Sequence, residues 1–286
     1  MVFRILFTRR WVILTLVLLA LIPAMTWLGL WQFHRYQQTN RQNGSINASL
    51  AAPPVAMDVL SRPGGTVPAA DTYRTVTATG HYDTAHEFVV RQRTDASGAI
   101  QGFYVVTPLV TTQGEAVLVN RGWIQPAGGG SATDYPPVPP APPGEVSLTG
   151  RLRPDETNAS TGIAARRGAL PARQYMLINS GQQAPQLPEP VVAGYLELTA
   201  TSPTPPAADQ AEPVPSPSGS NNSQSGDAAV VGKGVHLPYA IQWWLFAALV
   251  PLGWVVLLRR ELREAREKRE SADASGDPEN DPVTVA

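Results

Sequence analysis

No cysteine occurs in the 286 residues of this chain. Its absence excludes a disulfide framework, a zinc–thiolate site, a Cys-x-x-Cys redox pair, covalent c-type haem attachment and thiol-based copper transfer. Charge is also scarce, at 16% of residues with a formal net charge of −1. That balance leaves no basic footprint for nucleic acid. No nucleophile elbow, Walker loop, zincin helix or dinucleotide fingerprint is present, and the carboxylates form no obvious pair. The expectation is therefore a protein that is not an enzyme. No internal repeat is visible.

What the chain does have is proline (28), glycine (24) and two long uncharged runs. This composition reads as apolar spans, one modest folded domain and proline-rich linkers. Trp11 to Trp31 carries no charge and is long enough to cross a bilayer, which takes ~20 apolar residues. Pro23 lies inside it, as membrane helices tolerate. The run exceeds a signal-peptide apolar core and lacks a small-x-small cleavage site at its end, so an uncleaved anchor is expected. Leu237 to Leu258 is equally uncharged, with Trp243 and Trp244 near one end and Trp254 near the other, where interfacial aromatics belong.

Lys/Arg bias orients the spans. Arg4, Arg9 and Arg10 precede the first; Arg259, Arg260, Arg263, Arg266, Lys268 and Arg269 follow the second. Only Arg35, Arg41 and Lys233 lie near the spans on the other side. The positive-inside rule then places both termini in the cytoplasm and the chain in the plasma membrane as a multi-pass protein in contact with lipid. The expected organisation is a cytoplasmic N-terminus (1–10), a transmembrane helix (11–33), an extracytoplasmic β domain (34–202), a disordered Pro/Ser/Gly-rich linker (203–235), a second transmembrane helix (236–258) and a cytoplasmic basic helix with an acidic tail (259–286).

Between the spans, Gln37 to Ser49 is open between helix and loop, and Pro53 and Pro54 close it. Seven β-like runs follow: Tyr73–Tyr82, Glu87–Arg93, Gly102–Thr111, Ala116–Ile124, Glu145–Leu152, Gln174–Asn179 and Val191–Ala200. Gln113-Gly114 joins the third and fourth as a hairpin. Pro136 to Pro143 reads as an extended spacer. The fold class expected is a membrane protein, two transmembrane helices flanking a mainly antiparallel β domain, a small sandwich or barrel.

Two clusters of residues stand out. The first span ends Gly29-Leu30-Trp31-Gln32-Phe33-His34-Arg35, and the second begins His236-Leu237-Pro238-Tyr239-Ala240-Ile241-Gln242-Trp243-Trp244. Opposite chain directions put both at one membrane depth. His236, Tyr239, Ala240 and Trp243 share a helix face. Small Ala240 between aromatics would leave room for an amphipathic macrocycle such as haem, with His236 as axial ligand. The same residues equally suit plain interfacial anchoring, because each has an apolar body and a polar tip. Asn120-Arg121-Gly122-Trp123 ends a strand. Arg121 and Trp123 could form a docking surface; alternatively, Gly122 takes a special dihedral and Trp123 packs on the core.

These motifs resemble the Surfeit locus protein 1 family of membrane-bound cytochrome c oxidase assembly factors. The resemblance rests on Gly29-x-Trp31-Gln32 with Arg35, Tyr73-Arg74-x-Val76 with Gly80-x-Tyr82, Thr107-Pro108-Leu109, Val119-Asn120-Arg121-Gly122-Trp123, Gly150-Arg151-Leu152-Arg153 and His236-Leu237-x-Tyr239-Ala240-x-Gln242-Trp243. Arg260-Glu261 and the Pro-rich insertions look like actinobacterial members. The resemblance implies help in assembling the haem a-containing oxidase, with transient haem a as cofactor and the main oxidase subunit and other assembly proteins as partners. It implies that His236 contacts haem iron, with Tyr239, Trp243, Trp31 and Gln32 beside the macrocycle and with Arg121 and Trp123 toward a partner. Pro238 departs from the Ser of many relatives, and the stretch before His236 is unusually long. The other readings are a structural accessory of the oxidase that binds no haem, and a membrane-bound enzyme or receptor.

Overall fold

The structure is a computed structural model describing residues 7–126, 134–163, 170–215 and 236–274. It divides into two compact units, Met1–Gln38 with Lys233–Ala286, and Thr39–Gly232.

The first unit is built on two long helices, α1 (Arg9–Ala51) and α2 (His236–Ala274). Both are long and apolar enough to cross a membrane. They run antiparallel. Trp254 of α2 meets the start of α1, edge-on to Trp11 at 6.3 Å between centroids. The Trp254 indole N–H also donates to Thr15 Oγ1 at 3.1 Å. At the other end, Trp244 meets Phe33 at 5.7 Å. In lipid, apolar side chains gain little by facing one another, so close packing and interhelical hydrogen bonds of this kind hold spans together.

Gln37–Ser49 is helix, so α1 runs well past position 33, where the first span was expected to end. It stops at Ala51 because Pro53 and Pro54 follow: proline disfavours helical geometry in the residue before it and brings no N–H. The late part of α1 belongs to the second unit, where Ser49 Oγ donates to Ala70 O at 3.1 Å.

Among the described residues the second unit forms one sheet of eight strands: β1 (Val55–Ala56), β2 (Thr75–Tyr82), β3 (Phe88–Thr94), β4 (Gln101–Thr111), β5 (Ala116–Ile124), β6 (Glu145–Arg153), β7 (Gln174–Tyr175) and β8 (Tyr195–Ser202). Their order is β1-β2-β6-β8-β5-β4-β3-β7, and an additional β2–β4 pairing closes the sheet into a barrel. One edge of β4 serves two partners. Gln101–Val106 pairs with β3, and Leu109–Thr111 pairs with β2. Pro108, which has no N–H to give a ladder, sits where the partner changes.

Strand β5 is buried at every position, with Val117 and Val119 in one apolar cluster and Leu118 in another. Burial on both faces explains its nearly continuous apolar sequence. Val76, Leu109, Leu148, Leu152 and Leu196 complete the first cluster's centre. Full burial of each such side chain contributes roughly 1.5–3 kcal/mol. Phe88, Val90, Tyr104, Ile178 and Tyr195 fill the second cluster.

The barrel is mainly antiparallel, as expected, and differs from the sequence reading in detail. The β2–β6, β2–β4, β3–β4, β4–β5 and β6–β8 pairs are antiparallel, but β1–β2, β3–β7 and β5–β8 are parallel. The run Gln174–Asn179 keeps only two strand residues, because Asn179 caps a short helix, Ser180–Gln183, accepting from the Gln182 N–H. Strand β8 starts at Tyr195, after Gly194 at φ +74°.

The Pro-rich segments are not all spacers. Val138 and Tyr135 pack against the Val89, Phe103, Val105 and Ile124 cluster. Residues 203–215, assigned by composition to a disordered linker, lie against the barrel. The Glu212 N–H donates to Trp123 O at 2.8 Å, and the Trp123 N–H to Glu212 O at 2.7 Å. An Arg151 guanidinium N–H donates to Val214 O at 2.8 Å. Glu212 finds its partners on an open edge of β5 and Val214 O finds one on a β6 side chain, which composition cannot reveal. The rest of that linker, Arg4 and the acidic tail from 275 lie outside the described residues.

Candidate functional site

The expected ligand-binding residues lie at the end of the first unit where α1 leaves its apolar run and α2 begins. His236 Nδ1 lies 2.8 Å from Gln32 Oε1. An amide oxygen only accepts, so Nδ1 is the donor in this contact, and in the neutral Nδ1–H tautomer Nε2 keeps a lone pair. This is the tautomer that metal-ligating histidines adopt when an outer partner holds the second ring nitrogen.

Below this contact the helices close tightly. A Cβ on Gly29 would fall 2.2 Å from the Trp244 indole nitrogen, so only glycine permits the approach. Ala240 is 0% exposed. The room expected beside Ala240 is therefore filled: helix packing takes up the space a small residue leaves. Tyr239 and Trp31 are 45% and 51% exposed, facing away from the seam. Trp243 meets Phe246 edge-on at 6.2 Å. Of the five residues expected to surround a macrocycle, Gln32 and His236 are joined by a hydrogen bond. Phe33 and Trp244, which had not been singled out as site residues, form the aromatic contact instead; helix phase alone could have suggested Trp244, one turn beyond Ala240.

The donor chemistry fits a haem iron, since an imidazole with an oriented ring is offered there. Ala240, fully buried, leaves no slot at its own position, whereas Tyr239 on the same helix is open. Among the described residues, no cluster of three or more His, Cys, Asp or Glu could hold a free metal ion.

In the barrel, Arg121 and Trp123 are only 8% and 7% exposed. The Arg121 guanidinium lies 3.1 Å from Glu87 and donates to Pro140 O at 2.8 Å. Thr107 Oγ1 donates to the same Glu87 oxygen at 2.8 Å. The Trp123 indole N–H donates to Arg93 O at 3.0 Å. A docking surface made of these two side chains is thus corrected: both point inward and support the barrel. Gly122, at φ +130°, lies so close to the 203–215 segment that a Cβ would fall 2.4 Å from Glu212 O.

Three further buried ion pairs, in two clusters, accompany them. Arg93 binds Glu156, and Arg151 and Arg153 both bind Glu197. Arg153 also stacks over the Tyr73 ring at 4.4 Å. Sequence reading gave no role to Glu87, Glu156 or Glu197. For Glu197 the signal is a charge inside an otherwise apolar strand pattern, Tyr195-Leu196-Glu197-Leu198; Glu87 and Glu156 lie outside the strands and carry no such signal. Burial pushes the Tyr82 hydroxyl up to about 12, with Arg121 nearby opposing the shift. Tyr135 also rises to about 12, chiefly by burial and then by the Glu87 charge.

A sequence model of the SURF1 family matches residues 19–248. The chain belongs to the SURF1 family. Uncharacterised SURF1-like proteins of Mycobacterium bovis and Mycobacterium tuberculosis are each 30% identical over 282 residues, covering 96% of this chain and 92% of theirs. A SURF1-like protein of Rickettsia bellii is 30% identical over 116 residues, 41% of this chain and 43% of its own. The SURF1 match begins inside the first span and ends inside the second, so Gln32, the barrel and His236 all lie within it. The SURF1 family is one of respiratory-oxidase assembly factors in general, and that general role applies here.

Proposed function

We propose that this SURF1-family protein assists assembly of haem a-containing cytochrome c oxidase by holding haem a, as cargo, before its transfer to the main oxidase subunit. The observation that carries this reading is the His236–Gln32 contact. It joins residues 204 apart in sequence at one membrane depth and leaves Nε2 of an oriented imidazole as a donor. Haem a would supply iron with an open coordination position, and Tyr239 would lie one helical turn from the donor. The Lys/Arg bias supports plasma-membrane insertion with both termini cytoplasmic and the barrel outside.

The test is the haem spectrum of protein purified from cells that make haem a. His236→Ala abolishes the bound-haem spectrum. Gln32→Leu keeps the ligand but releases the ring, and lowers affinity roughly tenfold or more, as loss of an outer-shell partner does. Full haem retention by His236→Ala refutes ligation by that residue.

The closed seam at Gly29 and Ala240 favours a second reading, a structural accessory of the oxidase in which His236 only pins the spans. Stoichiometric co-purification with mature oxidase, without haem, distinguishes it.

A further inference from the structure

We propose that the opposite end of the two spans, beside the chain termini, binds the headgroup of an amine-bearing phospholipid. There α1 and α2 enclose a cavity of about 340 Å³. Its floor is Trp11, Leu14 and Leu257, and its rim is Arg10, Arg260, Glu261 and Glu264. The volume lies within the ~300–1,000 Å³ of small-ligand sites.

Three observations define the occupant. The first is depth. Trp11 and Leu257 are among the last apolar residues of their spans, so the cavity lies where headgroups meet acyl chains. The second is the split lining. Trp11, 8% exposed and held edge-on by Trp254, gives a fixed apolar wall, while every charge is on the rim. A free phosphate would leave that wall unused. The third is charge. Arg10 comes from one helix and Arg260 from the other, and guanidinium groups match phosphate oxygens in geometry. Two carboxylates share the same rim, so the four charged groups sum to zero. A headgroup that is only anionic would meet those carboxylates. A phosphate carrying its own primary ammonium satisfies both signs, with phosphate at Arg10 and Arg260 and the ammonium at Glu261 and Glu264. A choline headgroup has no N–H to donate to a carboxylate. The existing Arg260 Nε to Glu264 bond, 3.0 Å, leaves the terminal guanidinium nitrogens of Arg260 for the phosphate.

The full chain, reconstituted in nanodiscs of equimolar phosphatidylethanolamine, phosphatidylglycerol and phosphatidylcholine, is released and its retained lipids are counted by native mass spectrometry. Phosphatidylethanolamine dominates for the unaltered chain. Arg10→Gln lowers its retention roughly fivefold, the effect of one interfacial cation. Glu261→Gln keeps every positive charge, and so the insertion signal, and turns the preference toward phosphatidylglycerol. Equal retention of the three lipids, or phosphatidylglycerol dominance in the unaltered chain, overturns the proposal. So does undiminished phosphatidylethanolamine retention by Arg10→Gln. If Arg10→Gln does not accumulate, Glu261→Gln decides alone: an unchanged ratio of the two lipids overturns it.

Discussion

Glu197 is the most exacting test of how the barrel is held together. Its carboxylate is 1% exposed and lies between the Arg151 and Arg153 side chains, themselves 7% and 10% exposed. Arg153 is further fixed over the rings of Tyr73 and Tyr195. Glu197→Gln keeps the shape and one acceptor but removes the carboxylate charge paired with two buried guanidinium groups. Breaking a buried pair from one side costs ~3–5 kcal/mol, because the remaining charge can neither reach water nor find a counter-ion. Against a total stability of ~5–15 kcal/mol this is a large fraction. For a domain of this size each kcal/mol moves Tm by about 2–4 °C, so the expected fall is roughly 6–20 °C. Thermal unfolding of the full chain in detergent, followed by the β signal in circular dichroism, measures it. Replacing the whole cluster by apolar side chains (Arg151→Met, Arg153→Met and Glu197→Leu together) leaves no orphaned charge. The triple variant should therefore be less destabilised than Glu197→Gln alone. A Glu197→Gln melting point within ~2 °C of the unaltered chain refutes the argument, as does a triple variant that melts lower than the single one.

Gly122→Ala should release residues 203–215 from β5, because the added Cβ collides with Glu212 O and the φ of +130° disfavours any L side chain. The strain is of order 1–3 kcal/mol, read as faster hydrogen exchange at the Trp123 and Glu212 amides; unchanged protection would refute it. Tyr82 and Tyr135 should titrate near 12 in the folded chain, measured by tyrosinate absorbance. Because their folded values exceed the unfolded value of ~10, the unfolded chain loses these protons first. Stability is then unaffected below pH ~10 and falls as pH rises from ~10 toward 12. Midpoints near the ordinary tyrosine value in the folded chain would contradict their burial.

Composition and local pattern by themselves determined the two spans, most of the strands and the β4–β5 hairpin. Apolar length and β-branched alternation act within a few residues, so no distant partner is needed to recognise them. Only the tertiary structure decided the rest. Barrel closure depends on β4 changing partners at Pro108, and the parallel pairs depend on residues far apart in sequence. The 203–215 segment looked like linker because its composition offers no core; the open edge of β5 gives its backbone somewhere to bond. Arg121 and Trp123 carry side chains typical of docking surfaces, yet burial against Glu87 and Arg93 makes them internal supports. His236 and Gln32 were each legible as notable residues near one membrane depth. That they touch, with the proton assigned to Nδ1, follows from the close helix approach at Gly29, a contact between chain ends that no local pattern encodes.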